Sequence, residues 1–357
     1  MKTAPSDCRS IDGRKSMIHG LSREELAVLL AGMNVPRYRV DQIWSWLYVK
    51  RAAEWTAMTN LPAELREQLA GAFCLDSALA AGIEGEAGRT RKILVGLNDG
   101  EQVEEVLIPG GNDRKTVCIS SQAGCRFHCA FCASGQAGFR RNLEAGEMVG
   151  QVILAAKAYN DRPSNVVFMG IGEPFDNYDA VLKAVRIIND KDGLGIGARK
   201  ITISTCGVIP GIEKLAGEGL QVELSVSLHA PADELRSKLM PVNRKYPLAQ
   251  LIETCRKYFD KTGRIITFEY TLIRGLNDSA SHARALVTLL SGLPSRVNLI
   301  PLSPVEEFTG QASSREKAEV FMEILGRAGI NVTFRESKGS SLKAACGQLR
   351  YGRKTSA

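Results

Sequence analysis

Gly124-Cys125-Arg126-Phe127-His128-Cys129-Ala130-Phe131-Cys132 is the stretch on which the reading of this chain turns. It follows a β-branched run at 116–120. Similar runs recur at 166–169, 201–204, 222–228, 265–272, 297–302 and 332–334. Helix-like segments separate most of them, at 144–159, 178–190, 210–218, 247–260, 279–291 and 314–328. Strands alternating with helices imply a parallel sheet with right-handed crossovers. The pattern predicts an α/β fold, a partial (β/α)6-type barrel, in which chemistry gathers where strands end and loops begin.

Within the quoted stretch the spacing is C-x3-C-x2-C. Thiolates of Cys125, Cys129 and Cys132 on one tight loop can each hold one iron of a cubane 4Fe-4S cluster. No fourth cysteine is local, so the remaining iron is left free to chelate a small molecule. Two other readings stand beside this one. Zinc can take the three thiolates with His128, although zinc spacing usually comes as two separated pairs. His128 also directly precedes Cys129, which is awkward for a tetrahedron. Alternatively, the cysteines are simply buried as small apolar residues. The strand before and the repeats after favour the open cluster.

Toward the N-terminus the pattern changes. Residues 1–17 read as a loose tail. Ser22-Arg23-Glu24-Glu25 reads as a capping box, with Leu26, Leu29, Leu30 and Met33 at helical spacing behind it. Val40, Ile43, Trp44, Leu47 and Tyr48 mark a second helix, and Pro62 followed by Leu65, Leu69 and Phe73 a third. Residues 18–75 therefore read as a small helical domain, whose basic rim of Arg37, Arg39, Lys50 and Arg51 suits phosphates or plain solvent. A linking β-hairpin over 76–113 has strands at 90–97 and 102–108 joined by Asn98-Asp99-Gly100. In its second strand Glu104 shares a face with Val106 and Ile108, and Glu105 with Val103 and Leu107. One carboxylate thus lies on an apolar face, where its pKa can be tuned for proton transfer, unless this is an edge strand with ordinary charges. The barrel then occupies 114–346 and a basic tail 347–357.

The chain is 357 residues long, enough for about two domains. Hydrophobic residues make up 44% and charged residues 24%, which excludes a disordered or fibrous chain. No secretory signal and no membrane-length apolar run is read, so a cytoplasmic location without membrane contact is expected. The formal charge of +7 fits either a polyanionic partner or a solvated surface. Nine cysteines without a signal argue for metal binding or reactivity over a disulfide scaffold.

The cysteine loop resembles that of the radical SAM enzymes, in which the open iron binds the amino and carboxylate groups of S-adenosylmethionine. Met169-Gly170-Ile171-Gly172-Glu173-Pro174 is similar to the superfamily's G-E-P motif. Its glycines allow close backbone approach, and Glu173 can pair with the ligand's ammonium. Thr116 to Cys125, Gly138-Phe139-Arg140-Arg141-Asn142-Leu143 and Ala344-Ala345-Cys346-Gly347-Gln348-Leu349 resemble the RlmN/Cfr family of RNA adenine methyltransferases. The resemblance runs from about residue 18 to 352.

The resemblance implies one 4Fe-4S cluster and S-adenosylmethionine as cofactors. It further implies adenine methylation in large-subunit ribosomal RNA, with transfer RNA as a further substrate. Ring carbon 2 is the default target and carbon 8 the second. Cys346 matches the cysteine that carries the methyl group, and Cys118 the one that closes a transient disulfide with it. Glu104 matches the carboxylate that assists proton movement. Gly172, Glu173, Ser204, the Ser227-Leu228-His229 segment and Ser303 match positions that contact S-adenosylmethionine, although the family usually has asparagine in place of Ser303. Arg335, Lys338 and Lys343 are candidates to favour the Cys346 thiolate. Arg140, Arg141, Arg199, Lys200, Arg236, Lys238, Arg244, Lys245 and Lys338, with Arg350, Arg353 and Lys354 in the tail, are candidates to follow an RNA backbone. An electron donor such as flavodoxin or ferredoxin and a monomeric state complete the expectation. The competing readings are a radical SAM enzyme on another substrate and a non-catalytic, zinc-bound RNA-binding protein.

Overall fold

Lys15 to Met17, expected in the tail, are ordered. In the computed structural model, which describes residues 15–335 and 338–350, β1 (Ser16–Met17) pairs in parallel with β2 (Phe73–Cys74). Met17 and Ile18 are buried, and their apolar side chains draw the segment into the core. Residues 1–14, the tail's Arg353 and Lys354 among 351–357, and residues 336–337 lie outside the described residues.

The helical unit forms where the sequence predicts it. The Ser22 hydroxyl accepts from Glu25 N–H and the Glu25 carboxylate accepts from Ser22 N–H, so the box caps α1 (Arg23–Gly32). The second helix is α2 (Arg39–Trp44), which loosens into a π-helical turn at Ser45–Val49. Pro62 caps α3 (Ala63–Ala72). Leu26, Leu30, Ile43, Trp44, Leu65 and Leu69 are buried together.

The linker is larger than the predicted hairpin. An additional strand, β3 (Leu79–Glu84), joins β4 (Arg91–Gly96) and β5 (Gln102–Pro109) in an antiparallel meander. Every residue of β3 is exposed, so it has no alternating pattern by which sequence could reveal it. This meander extends the main sheet.

The catalytic unit begins with β6 (Lys115–Cys118), a hairpin of β7 (Gln122–Gly124) and β8 (Phe139–Asn142), and the short α4 (Ala133–Gln136) between them. Then come α5 (Ala145–Tyr159), β9 (Asn165–Phe168), α6 (Tyr178–Asn189), β10 (Ile201–Thr205), α7 (Ile209–Leu215), β11 (Glu223–Ser227), α8 (Asp233–Leu239), α9 (Leu248–Thr262), β12 (Ile266–Leu272), α10 (Ala280–Leu290), β13 (Ser295–Pro301), α11 (Arg315–Arg327) and β14 (Asn331–Phe334). Every run predicted as a barrel strand forms one. The sheet has ten strands in the order β14-β13-β12-β11-β10-β9-β6-β5-β4-β3, parallel from β14 to β6 and antiparallel beyond. β14 does not pair back onto β6, whose other edge takes β5, so the barrel is open on one side. Among the described residues, no helix is long and apolar enough to cross a membrane.

The hairpin that encloses the cysteine loop depends on one glycine. Gly124 has φ +77°, and a Cβ there would lie 1.8 Å from the Gly138 carbonyl oxygen. Gly124→Ala should therefore lower unfolding stability by about 3 kcal/mol or more, read from denaturant unfolding. A stability within error of the parent would show that the hairpin yields without strain.

Candidate active site

The loop after β7 is fixed by backbone bonds. Cys125 N–H donates to Gly138 O at 3.0 Å, Cys132 N–H to Cys129 O at 3.1 Å and Ala130 N–H to Leu239 O at 2.9 Å. His128 takes a left-handed conformation, φ 50°, which turns the loop between the first two cysteines. Phe127, Cys129 and Phe131 pack against a small apolar cluster that includes Leu239, Met240 and Leu302. The Phe131 ring meets His229 edge-on at 4.8 Å.

Cys125, Cys129 and Cys132 line one pocket of about 160 Å³, together with Gly172, Glu173, Ser204, Ser227, His229, Ser303 and Cys346. The sequence-predicted positions from separate strand ends thus meet at one place. Leu228 is the exception. Its side chain is buried in the core, while its N–H donates to Glu269 O and its carbonyl accepts from Arg236. The glycines of the G-E-P segment line this pocket, and they also pack closely against the chain behind it. A Cβ on Gly170 would lie 2.6 Å from Ile119 O, and one on Gly172 2.5 Å from the Gln122 side chain. They permit close packing of β9's end against the chain after β6.

Glu173 is held rigidly. Its carboxylate accepts from Phe175 N–H at 3.0 Å and from Cys206 N–H at 2.7 Å. Burial raises its pKa, and these donors oppose the rise. His229 Nδ1 accepts from Thr271 N–H at 2.9 Å, and burial, helped by the nearby Arg236 charge, pushes its pKa down to about 3. The ring is therefore neutral, with its Nδ1 used structurally.

The thiols have the chemistry of ligands to a cationic centre. Burial pushes Cys125 up to about 12 and Cys129 well above its usual range, and each thiolate would further oppose its neighbours. Three thiolates at this spot need positive charge, which an iron–sulfur core supplies. Among the described residues, no group of His, Cys, Asp or Glu is gathered as a single metal ion would require. Three thiols on one loop, in C-x3-C-x2-C order, fit a cluster in which each thiolate takes a different iron.

The segment carrying Cys346 is stapled across the open side of the barrel. Ala133 N–H donates to Gly347 O at 2.7 Å, and the Ser134 hydroxyl to Leu349 O at 2.7 Å. Gln348 Nε2 donates to Pro304 O at 2.9 Å and Arg350 N–H to the Glu104 carboxylate at 2.8 Å. Lys338 Nζ reaches Pro109 O at 3.0 Å. The strap therefore ties the cysteine loop, the β13 side and β5 together.

Behind the strap lies a second cavity of about 1180 Å³. It extends to the strand-start end, where Arg114, Arg199, Lys200, Arg296 and Lys338 line it. Cys118 opens onto it. Met169, Glu269, Ile300, Arg335 and Cys346 line both cavities and form the partition between them. Enclosure pushes the Cys346 thiol upward while Arg335 opposes that, and Cys118 is pushed up to about 12 by burial and by Cys346. Of the cations expected to favour the thiolate, only Arg335 acts. Lys338 bonds to Pro109 O, and Lys343 pairs with Glu306 at 2.9 Å.

Glu104 and Glu105 are both buried, on opposite faces of β5. Glu104 lies on the face of Cys118, since Val106 is the register partner of Cys118. It pairs with Lys92 at 3.1 Å and receives Arg350 N–H, outside the walls of both cavities. Glu105 has no hydrogen-bond partner, and burial raises its pKa well above the carboxylate range. Arg141 and Arg236, expected at the barrel mouth, are committed elsewhere. Arg141 pairs with Asp99 and Glu147. Arg236 is wholly buried, donating to Cys206 O, Ser227 O, Leu228 O and Asn243 Oδ1, and so clamps the ends of β10 and β11. Sequence placed Arg236 among the RNA-facing cations because nothing in a run such as Asp233-Glu234-Leu235-Arg236 marks one charge as internal.

The model of the radical SAM superfamily matches residues 119–286, and that of the ribosomal RNA large subunit methyltransferase N-terminal domain matches residues 17–75. A probable dual-specificity RNA methyltransferase RlmN from Dictyoglomus thermophilum is 49% identical over 92% of this chain and 94% of its own length. One from Geobacillus thermodenitrificans is 47% identical over 93% of this chain and 92% of its own length. The chain belongs to the RlmN family of the radical SAM superfamily. The crystal structure of a radical SAM methyltransferase from Sphaerobacter thermophilus superposes with a TM-score of 0.90 at 46% identity, over 94% of this chain and 99% of that one.

His229 generates a pH prediction. Its folded pKa of about 3 lies below the unfolded value of 6.5, so the unfolded chain binds the extra proton first. Its contribution to stability is complete above about pH 6.5 and is lost as pH falls from there toward about 3. Ring resonances of His229 in NMR spectra should hold neutral-imidazole shifts down to about pH 5. A midpoint near 6.5 would contradict the buried, acceptor-only ring.

Proposed function

We propose that this chain is a radical SAM methyltransferase that methylates a ring carbon of adenine, carbon 2 by default, in large-subunit ribosomal RNA and in transfer RNA. The observation that carries this reading is the place of Cys346 on the partition, with the three-cysteine pocket on one side and Cys118 in the larger, basic-rimmed cavity on the other. The larger cavity suits a base turned out of its stack, with cations for the neighbouring phosphates.

Cys125, Cys129 and Cys132 would hold a 4Fe-4S cluster, with Gly172, Glu173, Ser204, Ser227, His229 and Ser303 around S-adenosylmethionine and Leu228 behind them in the core. When bound, this pair supplies a methyl cation equivalent, a hydrogen-abstracting radical and a centre to which one electron returns. Cys346 accepts the methyl group as a thioether. After loss of one hydrogen atom the methylene carbon bonds to the adenine ring. The adduct gives up the ring-carbon proton and one electron, and Glu104, paired with Lys92 outside both cavities on the face of Cys118, receives the proton by relay and not by direct contact. Cys118 as thiolate then attacks the Cys346 sulfur. The S–S bond forms, and the S–C bond breaks with its electron pair going to carbon, which takes up a proton as the new methyl group. An external reductant of the flavodoxin or ferredoxin class supplies electrons, and reduction of the disulfide restores both thiols.

Cys346→Ala should abolish RNA methylation with iron and sulfide content unchanged, and Cys118→Ala should accumulate a covalent protein–RNA adduct visible on denaturing gels. Anaerobic metal analysis should find about four irons per chain. Zinc without iron would support the non-catalytic RNA-binding reading instead. Mass spectrometry of digested ribosomal and transfer RNA, with and without the gene, should show one methyladenosine isomer lost. Unchanged methylation by Cys346→Ala would overturn the mechanism.

A further inference from the structure

Glu269 sits in the middle of β12, on the face it shares with Thr267 and Thr271, while Phe268, Tyr270 and Leu272 point into the core. It is only 5 % exposed, and it belongs to the partition between the two cavities. Its Oε1 accepts from Asn298 Nδ2 at 3.1 Å. Its Oε2 is buried with no hydrogen-bond partner. Arg335 stands close enough to act on it electrostatically but does not bond to it, and instead points one guanidinium nitrogen toward Met169 Sδ at 4.0 Å.

A buried carboxyl oxygen without a donor is costly, and folded proteins rarely leave one. The Ser225 hydroxyl lies close enough to favour the carboxylate, and an N–H or O–H donor entering beside Cys346 would complete the donors around it. We propose that Glu269 reads the exocyclic amine of the adenine undergoing methylation, and so determines base specificity. This rests on the methyltransferase reading above.

The chemistry of the base supports it. In adenine the amine, ring nitrogen 1 and carbon 2 follow one another along a single edge. A base whose amine meets Glu269 therefore turns carbon 2 toward a neighbouring residue of the partition, where Cys346 stands. Guanine offers a carbonyl oxygen in place of the amine, so two acceptors would face each other. Cytosine offers the amine but carries a carbonyl carbon where adenine has a C–H. Burial raises the pKa of Glu269, while Arg335, Asn298 and Ser225 oppose it. In its protonated form the carboxyl also offers a donor for ring nitrogen 1, matching both groups of that edge.

The test uses reconstituted holoenzyme and two RNA hairpins carrying the position identified by the digest experiment. One has adenine there, and the other has purine, which has hydrogen in place of the amine. The parent enzyme should favour adenine in kcat/KM by at least about tenfold. In Glu269→Ala that preference should fall to within about threefold, because intrinsic reactivity differences between the bases cancel across the two enzymes. Glu269→Met keeps bulk without the acceptor and gives the same readout where the smaller side chain fails to load iron. A structural role alone would lower both rates and leave the ratio intact, which overturns the proposal. So does a raised KM for S-adenosylmethionine with an unchanged ratio, since the donor would then be the cosubstrate. A parent enzyme that methylates neither hairpin defeats the function reading itself. One that methylates both equally defeats only this inference.

Discussion

The hydrogen bond from Ala133 N–H to Gly347 O, 2.7 Å long, joins the two parts of the chain on which any chemistry depends. One partner lies immediately after the third loop cysteine, and the other immediately after Cys346. The Ser134 hydroxyl repeats the link from the next residue, to Leu349 O. Gly347 accepts this closeness because it has φ +82°, and a Cβ there would lie 2.9 Å from Phe131 O. The sheet cannot supply this wall, because β14 and β6 do not pair. A covalently remote thiol becomes part of the pocket only through the strap.

The division of the interior follows from the same constraint. The strap and the inner residues of β9, β12 and β13 leave a small chamber at the cysteine loop and a large one behind it. The charges differ accordingly. The small chamber holds buried thiols and the doubly anchored Glu173, whereas the strand-start end of the large one carries arginines and lysines. A sulfonium amino acid and an RNA base have matching requirements, one for a fixed carboxylate and close walls, the other for width and phosphate contacts.

Much of this was legible in the chain. Most of the β-branched runs became strands because one face of each is buried in the core, and the Ser22–Glu25 spacing became a reciprocal cap because both partners sit on one turn. The positions matched by motif met in one pocket because they follow consecutive parallel strands. β3 escaped, since a wholly exposed strand has no alternation to read. The glycines at 170 and 172 line the small pocket, and their packing against Ile119 and Gln122 was not legible because sequence shows that a backbone must be approached, not by what. The cavities themselves had a faint signal. Thr267, Glu269 and Thr271 alternate with Phe268, Tyr270 and Leu272 in a strand with neighbours on both edges, which is the mark of a lined interior rather than a solvent face. Arg236 and the strap had none, because both are set by contacts between segments far apart in sequence.

Arg236 has a further consequence. Its guanidinium is enclosed with four neutral oxygens and no carboxylate bonded to it, and Asp233 reaches it only through Asn243 and through space. The Arg236 charge is felt at Cys129 and at the imidazole of His229. A fixed cation in so dry a place acts as a standing counterweight: it makes the Cys129 thiol easier to ionise and the His229 imidazole harder to protonate.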